Sequence, residues 1–237
     1  MTHPAPHDAR TEQLAASLAR LDERLTAACV AAGRARDEIT VIAVTKTFPA
    51  ADVRRLAGLG LVDIGENRDQ EAASKAAECA DLDLRWHFIG QLQTNKVRSV
   101  AHYAHLVHSV DRDRLVPALA AAADRVGREL GCLVQVSLQV TEGRGGVDPS
   151  GMLELADLVA AAPALRLAGL MAMAPLDENP ARAFGRLEPL IGALRAAHPA
   201  ARIVSAGMSE DLEAAIAAGA THVRVGTALL GSRPSLR

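Results

Sequence analysis

Aromatic residues are scarce in this chain: Phe, Trp and Tyr together make up 2% of its 237 residues. The sequence has no basic cluster and no stripe of aromatic side chains, the features with which proteins commonly hold nucleic acid. Its net charge of -2 at pH 7 is close to neutral. We therefore exclude nucleic acid as a partner.

Cysteine is also rare, and no apolar run is long. Cys29, Cys79 and Cys132 are far apart and form no Cys-x-x-Cys pair, so neither a disulfide framework nor a metal site is expected. The first residues lack the cationic and apolar segments of a secretory signal, and no stretch is long enough to cross a bilayer. These absences predict a cytoplasmic protein that does not bind a membrane.

Lysine is the scarcer of the two strong cations. Of 26 Lys and Arg residues only Lys46, Lys75 and Lys96 are lysines. Lys46 ends the β-branched apolar run at 39–45, which predicts a buried parallel strand, and Pro49 stops that run. The lysine is therefore placed at the carboxyl end of a strand, where α/β proteins bind ligands. A primary amine there can condense with an aldehyde, which arginine cannot do; a lysine that merely reaches solvent is the structural alternative.

Strand and helix patterns alternate along the whole chain. An amphipathic helix with Leu14, Leu18, Leu21 and Leu25 comes first. Strands are predicted at 39–45, 61–65, 86–89, 105–110, 132–140, 167–171, 202–205 and 222–226, with helical patterns between them, one of them reaching Leu130. The pattern predicts one domain over 1–237, a (β/α)8 TIM barrel preceded by an extra amino-terminal helix, with a flexible tail at 1–10. A doubly wound sheet is the alternative, but no Gly-x-Gly-x-x-Gly follows the first strand.

Three residues at helix ends are typical of caps. Asp111 and Ser209 each precede an apolar periodic stretch, so both are predicted to be N-caps. Gly219 follows the last periodic residue of the helix that Ser209 opens, and it suits the C-terminal end.

Strand ends far apart in sequence meet on one face of a barrel. Barrels often bind phosphate at the loops after strands seven and eight, through glycine N–H groups and a helix start. Met208 and Ser209 lie in the first of these loops, and Gly226 and Thr227 lie in the second. Each pair alone is explained by a strand end or a cap, but the two together predict a phosphate site.

Arg224 is predicted to face the barrel interior. With Val223 and Val225 turned toward the helices, the period of two turns Arg224 and Gly226 inward. A buried guanidinium needs a partner, which is either an interior carboxylate or a ring nitrogen of a bound ligand. Together with the amine and the phosphate loops, this arginine describes a pocket for an aromatic aldehyde carrying a phosphate, namely pyridoxal 5′-phosphate (PLP).

The chain resembles the pyridoxal phosphate homeostasis protein family, whose members are single barrels similar to the amino-terminal domain of bacterial alanine racemase. The segments that carry this resemblance are VTKTFP at 44–49, DIGENRDQE at 63–71, WHFIGQLQTNK at 86–96, HSVD at 108–111, GLMAM at 169–173 and GMSEDLEAAIAAGATHVRVGTALLG at 207–231. They follow the family's order and cover nearly the whole chain.

The resemblance implies a set of cofactor-binding residues. These are Lys46, Asn67, Met208, Ser209, Arg224, Gly226 and Thr227. In the family pattern Lys46 forms the internal aldimine, Asn67 lies beside the cofactor ring and Arg224 faces the pyridine nitrogen; the other four lie at the phosphate. An arginine keeps that nitrogen unprotonated, so the ring is a poorer electron sink than one paired with a carboxylate.

The chain departs from the family pattern at a few positions. Thr45 stands where serine is usual, and it keeps the hydroxyl. Arg144 stands where the loop after strand five often has lysine, which puts a second-lysine transfer role of that loop in doubt. Lys96 is the other amine expected on the ligand face, and His87 is expected to pack inside strand three rather than act as a ligand or base.

The resemblance implies a protein that holds PLP on Lys46 for homeostasis, or for delivery to apo PLP-dependent enzymes, with no catalytic residues. We expect a monomer. The alternative is a PLP-dependent amino-acid racemase, which needs a second base opposite the lysine; the single tyrosine, Tyr103, is predicted to lie at the opposite barrel mouth. A cofactor-free aldolase would also use a barrel lysine, but it does not explain Arg224.

Overall fold

The strands form a closed barrel in chain order. In the computed structural model, residues 8–138 and 145–231 are described. The eight parallel strands are β1 (Thr40–Val44), β2 (Asp63–Glu66), β3 (Arg85–Phe88), β4 (Leu106–Val110), β5 (Leu130–Gln135), β6 (Leu165–Met171), β7 (Ile203–Ser205) and β8 (His222–Val225). The barrel closes where β8 pairs with β1. The predicted (β/α)8 architecture is confirmed.

Helices surround the barrel. Within the described ranges the α-helices are α1 (Ala9–Ala31), α2 (Ala50–Gly58), α3 (Asp69–Glu78), α4 (Val97–Tyr103), α5 (Leu115–Arg125), α6 (Met152–Ala161), α7 (Pro180–Gly185), α8 (Leu187–Ala197), α9 (Leu212–Ala217) and α10 (Thr227–Leu230). Short 3-10 helices occupy Arg36–Glu38, Thr94–Lys96 and Pro149–Gly151. In this part of the chain, no helix is both apolar enough and long enough to cross a bilayer.

The extra amino-terminal helix is present and packs against α9 and α10. Leu14 and Leu25 of α1 are fully buried in one apolar cluster with Val223 and Val225 of β8. The Asp8 carboxylate accepts a hydrogen bond from the Thr11 N–H and so caps the helix. The predicted tail at 1–10 is therefore wrong for 8–10, and residues 1–7 lie outside the described ranges.

The fifth strand starts earlier than predicted. Gly127 has a φ of 64° and ends the preceding helix, so Leu130 belongs to β5 and not to that helix. Asp111 is not the N-cap either: α5 begins at Leu115 after Arg114, while the Asp111 carboxylate pairs with Arg112. The predicted end of the strand, Val140, lies outside the described residues, as does Arg144.

Two further helix boundaries differ from the sequence patterns. Phe184, Leu187, Ile191 and Leu194 have the spacing of one helical face and predict a single helix, but the structure divides it at Arg186 into α7 and α8. Asp211, and not Ser209, occupies the N-cap position of α9, and the Ser209 hydroxyl instead accepts a hydrogen bond from the Ala228 N–H at 3.3 Å. Gly219, with a φ of 94°, follows α9 as predicted.

Candidate functional site

A cavity of about 640 Å³ opens at the carboxyl ends of the strands. Its lining includes all seven residues singled out from the sequence, namely Lys46, Asn67, Met208, Ser209, Arg224, Gly226 and Thr227. Its apolar walls come from Val44, Phe48 and Ile89 on one side and from Met173 and Pro175 on another. The volume lies in the range of small-molecule sites.

Lys46 lies two residues after the end of β1 and is half-buried at the cavity. Its amine makes no hydrogen bond or ion pair with any residue of the described ranges. The backbone on both sides is held: the Thr45 carbonyl accepts from Lys75 Nζ at 2.7 Å, and the Thr47 N–H donates to Glu71 Oε1 at 2.5 Å. Thr47 also has a φ of 70°, a left-handed conformation that is uncommon for threonine. The chain therefore fixes the base of Lys46 and leaves its amine available.

Lys75 is the residue that holds this loop, a role that was not inferred from the sequence. Its buried amine donates to Glu66 Oε1 at 2.7 Å and to Glu71 Oε1 at 2.6 Å. Thr45 Oγ1 donates to the same Glu66 oxygen at 2.6 Å. Burial raises the pKa of Glu66 despite these bonds, and its Oε2 has no hydrogen-bond partner among the described residues. The signal in the sequence was the Glu71–Lys75 spacing of four in a chain with three lysines.

Asn67 reaches the cavity because the loops after β2 and β3 lie very close together. A Cβ atom on Gly90 would lie 2.1 Å from the Asn67 carbonyl oxygen, so only glycine allows this approach. Both residues line the cavity. Gly90 thus has a steric role in the site that its place in a family motif did not reveal.

The loops after β7 and β8 form the other wall of the cavity. The Ser209 hydroxyl accepts from the Ala228 N–H and so joins the two loops. The Met208 N–H donates to Asp211 Oδ1 at 2.5 Å. Thr227 is the first residue of the four-residue helix α10. Two hydroxyl groups, those of Ser209 and Thr227, therefore lie on adjacent loops lining the same cavity.

Arg224 lies inside the barrel, as the alternation of β8 predicted, with 4% of its surface exposed. Its Nη1 donates to Ser205 Oγ at 2.7 Å and its Nη2 donates to the Ala172 carbonyl at 3.1 Å. These bonds use two of five N–H donors. Burial lowers the pKa of Arg224 to about 10, so the group remains a cation at neutral pH. In the described residues no carboxylate forms an ion pair with it, and it lines the cavity with donors to spare.

Two other residues considered from the sequence lie outside the cavity lining. Lys96 is partly exposed, with its amine 3.9 Å from Asp69 Oδ2. Tyr103, at the end of α4, lines a groove against α3, and its hydroxyl lies 3.5 Å from Asp69 Oδ1. Burial and the nearby carboxylate raise the pKa of Tyr103. The structure therefore brings neither Lys96 nor Tyr103 together with Lys46.

The chain has close relatives among known proteins. Residues 17–234 match the family described as alanine racemase, N-terminal domain. The pyridoxal phosphate homeostasis protein of Mycobacterium tuberculosis is 45% identical over 243 residues, which cover 94% of each chain. That of Escherichia coli is 37% identical over 226 residues, covering 93% of this chain and 97% of the relative.

A solved structure gives the same result. PipY of Synechococcus elongatus, determined with PLP bound, is 33% identical and superposes with a TM-score of 0.80 over 92% of this chain and 100% of PipY. Fold and cavity thus define a single-barrel protein of the alanine racemase N-terminal type. The chain belongs to the pyridoxal phosphate homeostasis protein family, which confirms the resemblance drawn from its motifs.

Proposed function

We propose that this protein binds PLP in the cavity at the carboxyl ends of the strands, holds it covalently through Lys46, and serves PLP homeostasis without dedicated catalytic turnover. One observation carries the proposal: a free amine, a buried guanidinium and two hydroxyls from distant parts of the chain line the same cavity. The PLP-bound structure of PipY supports the choice of ligand.

The donor set fits three polar parts of the coenzyme, namely its aldehyde, its ring nitrogen and its phosphate. When bound, PLP supplies an aldehyde, which condenses with a primary amine with loss of water. Lys46 provides that amine from a loop held on both sides. Arg224 offers its unused N–H donors to the ring nitrogen, and the hydroxyls of Ser209 and Thr227 offer hydrogen bonds to the phosphate. We assign Asn67 to the ring and the backbone of Met208 and Gly226 to the phosphate.

The surroundings of the cavity support a carrier over a racemase. A cationic partner disfavours protonation of the ring nitrogen, so the ring would withdraw electrons weakly. Removal and return of a proton on opposite faces requires a second base. Tyr103 points to Asp69 outside the cavity. Among the acidic residues that line the cavity, Glu178 is paired with Arg186 and Asp211 accepts a hydrogen bond from the Met208 N–H. We therefore assign no catalytic residues.

The wider role follows from the relatives and from the chain's chemistry. We infer that the protein acts as a cytoplasmic monomer, and that apo PLP-dependent enzymes receive the cofactor from it. Cys29, Cys79 and Cys132 are buried free thiols, which is typical of proteins in a reducing compartment.

A titration with PLP tests the proposal. After unbound PLP is removed, the wild type should retain an absorbance band near the visible edge, and Lys46→Ala should lack it because the amine is gone. Lys96→Ala is the matched control and should keep the band, because Lys96 lies outside the cavity lining. An equal band in Lys46→Ala would contradict the assignment of the lysine. Turnover of D- or L-amino acids at roughly 1 to 1000 per second would contradict the carrier role.

A further inference from the structure

A continuous chain of buried polar side chains crosses the barrel interior and ends at Arg224. Arg224 Nη1 contacts Ser205 Oγ at 2.7 Å, and Ser205 Oγ lies 2.9 Å from His108 Nδ1. His108 Nε2 lies 3.0 Å from His87 Nδ1, and His87 Nε2 lies 2.9 Å from Asp63 Oδ1. All five residues are buried. They belong to five different strands, so the barrel wall itself sets their spacing.

When both imidazoles are neutral, the donors and acceptors of this chain have one arrangement. A guanidinium only donates, so Ser205 Oγ accepts from Arg224; a carboxylate only accepts, so with neutral rings the Ser205 hydrogen goes to His108 Nδ1. His108 then carries its proton on Nε2 and donates it to His87 Nδ1. His87 in turn carries its proton on Nε2 and donates to the Asp63 carboxylate. Every hydrogen bond in this arrangement runs from the Arg224 cation toward the Asp63 anion.

The charge states of Asp63 and His108 agree with this direction of the hydrogen bonds. Burial alone raises the pKa of Asp63, but hydrogen bonds from His87 and Arg85 outweigh it and hold that pKa well below its usual range. Burial keeps the pKa of His108 well below its usual range, so its ring stays neutral. A buried cation and a buried anion therefore lie at the two ends of this hydrogen-bonded chain.

Other charged groups lie around this chain without being part of it. Arg85 pairs with Asp63 at the amino-terminal end of the barrel and is largely exposed. The His222 ring lies 6.5 Å from that of His87, and its Nδ1 contacts the Thr221 hydroxyl instead. Asp211 acts on Arg224 only at a distance. His222 is thus a matched interior histidine outside the chain.

We propose that Asp63 is a positioning residue for the ligand site: through His87, His108 and Ser205 it orients the Arg224 guanidinium and sets how strongly that group donates to the ring nitrogen of the ligand. The inference rests on the proposed function for its last contact, that between Arg224 and the ring. The chain of side chains itself does not depend on any ligand. Its function is to keep the donor at the ring cationic and correctly aimed.

The first test uses the ligand-free protein. Nitrogen-15 NMR of the histidine rings at pH 7 should show His87 and His108 as neutral rings, both protonated on Nε2. A proton on Nδ1 of either ring, or a charged ring, would overturn the proposed direction. In Ser205→Ala, where His108 Nδ1 loses its donor, the single tautomer of His108 should give way to a mixture. His222→Gln should leave both rings as in the wild type.

The second test isolates the ring nitrogen. Dissociation constants are measured for PLP and for 1-deaza-PLP, in which a C–H replaces that nitrogen. The wild type should prefer PLP by on the order of tenfold, the size of one charged hydrogen bond. In Asp63→Asn and Ser205→Ala this preference should fall to about threefold or less, whereas His222→Gln should retain it.

The ratio of the dissociation constants for 1-deaza-PLP and PLP separates loss of positioning from general damage to the barrel. A variant that only loosens the barrel weakens both ligands equally and leaves the ratio unchanged, and an unchanged ratio in both Asp63→Asn and Ser205→Ala would overturn the proposal. If the wild type binds neither ligand, the proposed function fails, while the NMR result still decides the interior chain.

Discussion

Replacing Lys75 with methionine should show how much the loop that carries Lys46 depends on one buried amine. Methionine preserves most of the length of the side chain but removes its charge and three hydrogen bonds. Glu66, with no exposed surface, then loses the cation with which it forms an ion pair. Breaking a buried ion pair by removing one partner costs about 3 to 5 kcal/mol. We expect a loss of about that size in the free energy of unfolding at pH 7.5.

The loss should depend on pH in a definite direction. Burial already raises the pKa of Glu66, and removing the amine raises it further. A carboxyl group with a raised pKa binds its proton more tightly in the folded protein, so its stability contribution is complete at low pH and is lost as pH rises through that pKa. The difference in the free energy of unfolding between variant and wild type should therefore be smallest at acidic pH and grow toward pH 8.

Urea unfolding of wild type and variants over a pH series gives the measurement. Lys96→Met is the control, because Lys96 is partly exposed and its amine lies 3.9 Å from Asp69 Oδ2. This substitution should change the free energy of unfolding by less than about 0.5 kcal/mol. Adding Glu66→Gln to Lys75→Met should restore part of the loss. A Lys75→Met deficit equal to that of Lys96→Met, or one that does not vary with pH, would refute the reasoning.

Two further predictions concern the walls of the cavity. Gly90→Ala should destabilise the protein by about 2 kcal/mol or more, since its Cβ would lie 2.1 Å from the Asn67 carbonyl oxygen; Gly185→Ala, whose Cβ meets no atom within 4 Å, should be neutral or slightly stabilising in the same urea titration. Ser209→Ala and Thr227→Ala should each weaken PLP binding by about 1 to 3 kcal/mol in fluorescence titrations, and unchanged affinity in both would show that the phosphate lies elsewhere.

The order of the elements and the inward face of β8 could be predicted because each depends on local pattern. The apolar run before Lys46 and the alternation around Arg224 are properties of a few neighbouring residues, and the structure shows both as expected. Helix ends were less predictable. Asp111 and Ser209 are residue types typical of N-caps. The Asp111 side chain instead pairs with Arg112, and the Ser209 side chain joins two loops.

The long-range polar contacts could not be read from the sequence. His87 was expected only to pack in strand three, but its partners are His108 and Asp63 on the neighbouring strands. Of the three lysines, Lys75 alone had no role assigned from the sequence. Its partners come from β2, from its own helix and from the backbone beside Lys46. Such contacts depend on register between strands and on helix placement, which no single segment encodes.

Which amine carries the coenzyme is decided most directly by reduction of the PLP-treated wild type with borohydride, followed by mass spectrometry of its peptides. The chain offers three lysines as competing sites, at positions 46, 75 and 96. Lys75 is buried in ion pairs and Lys96 lies away from the cavity lining. We predict one phosphopyridoxyl group per chain, on Lys46. Modification of Lys75 or Lys96 in its place, or none at all, would contradict the account.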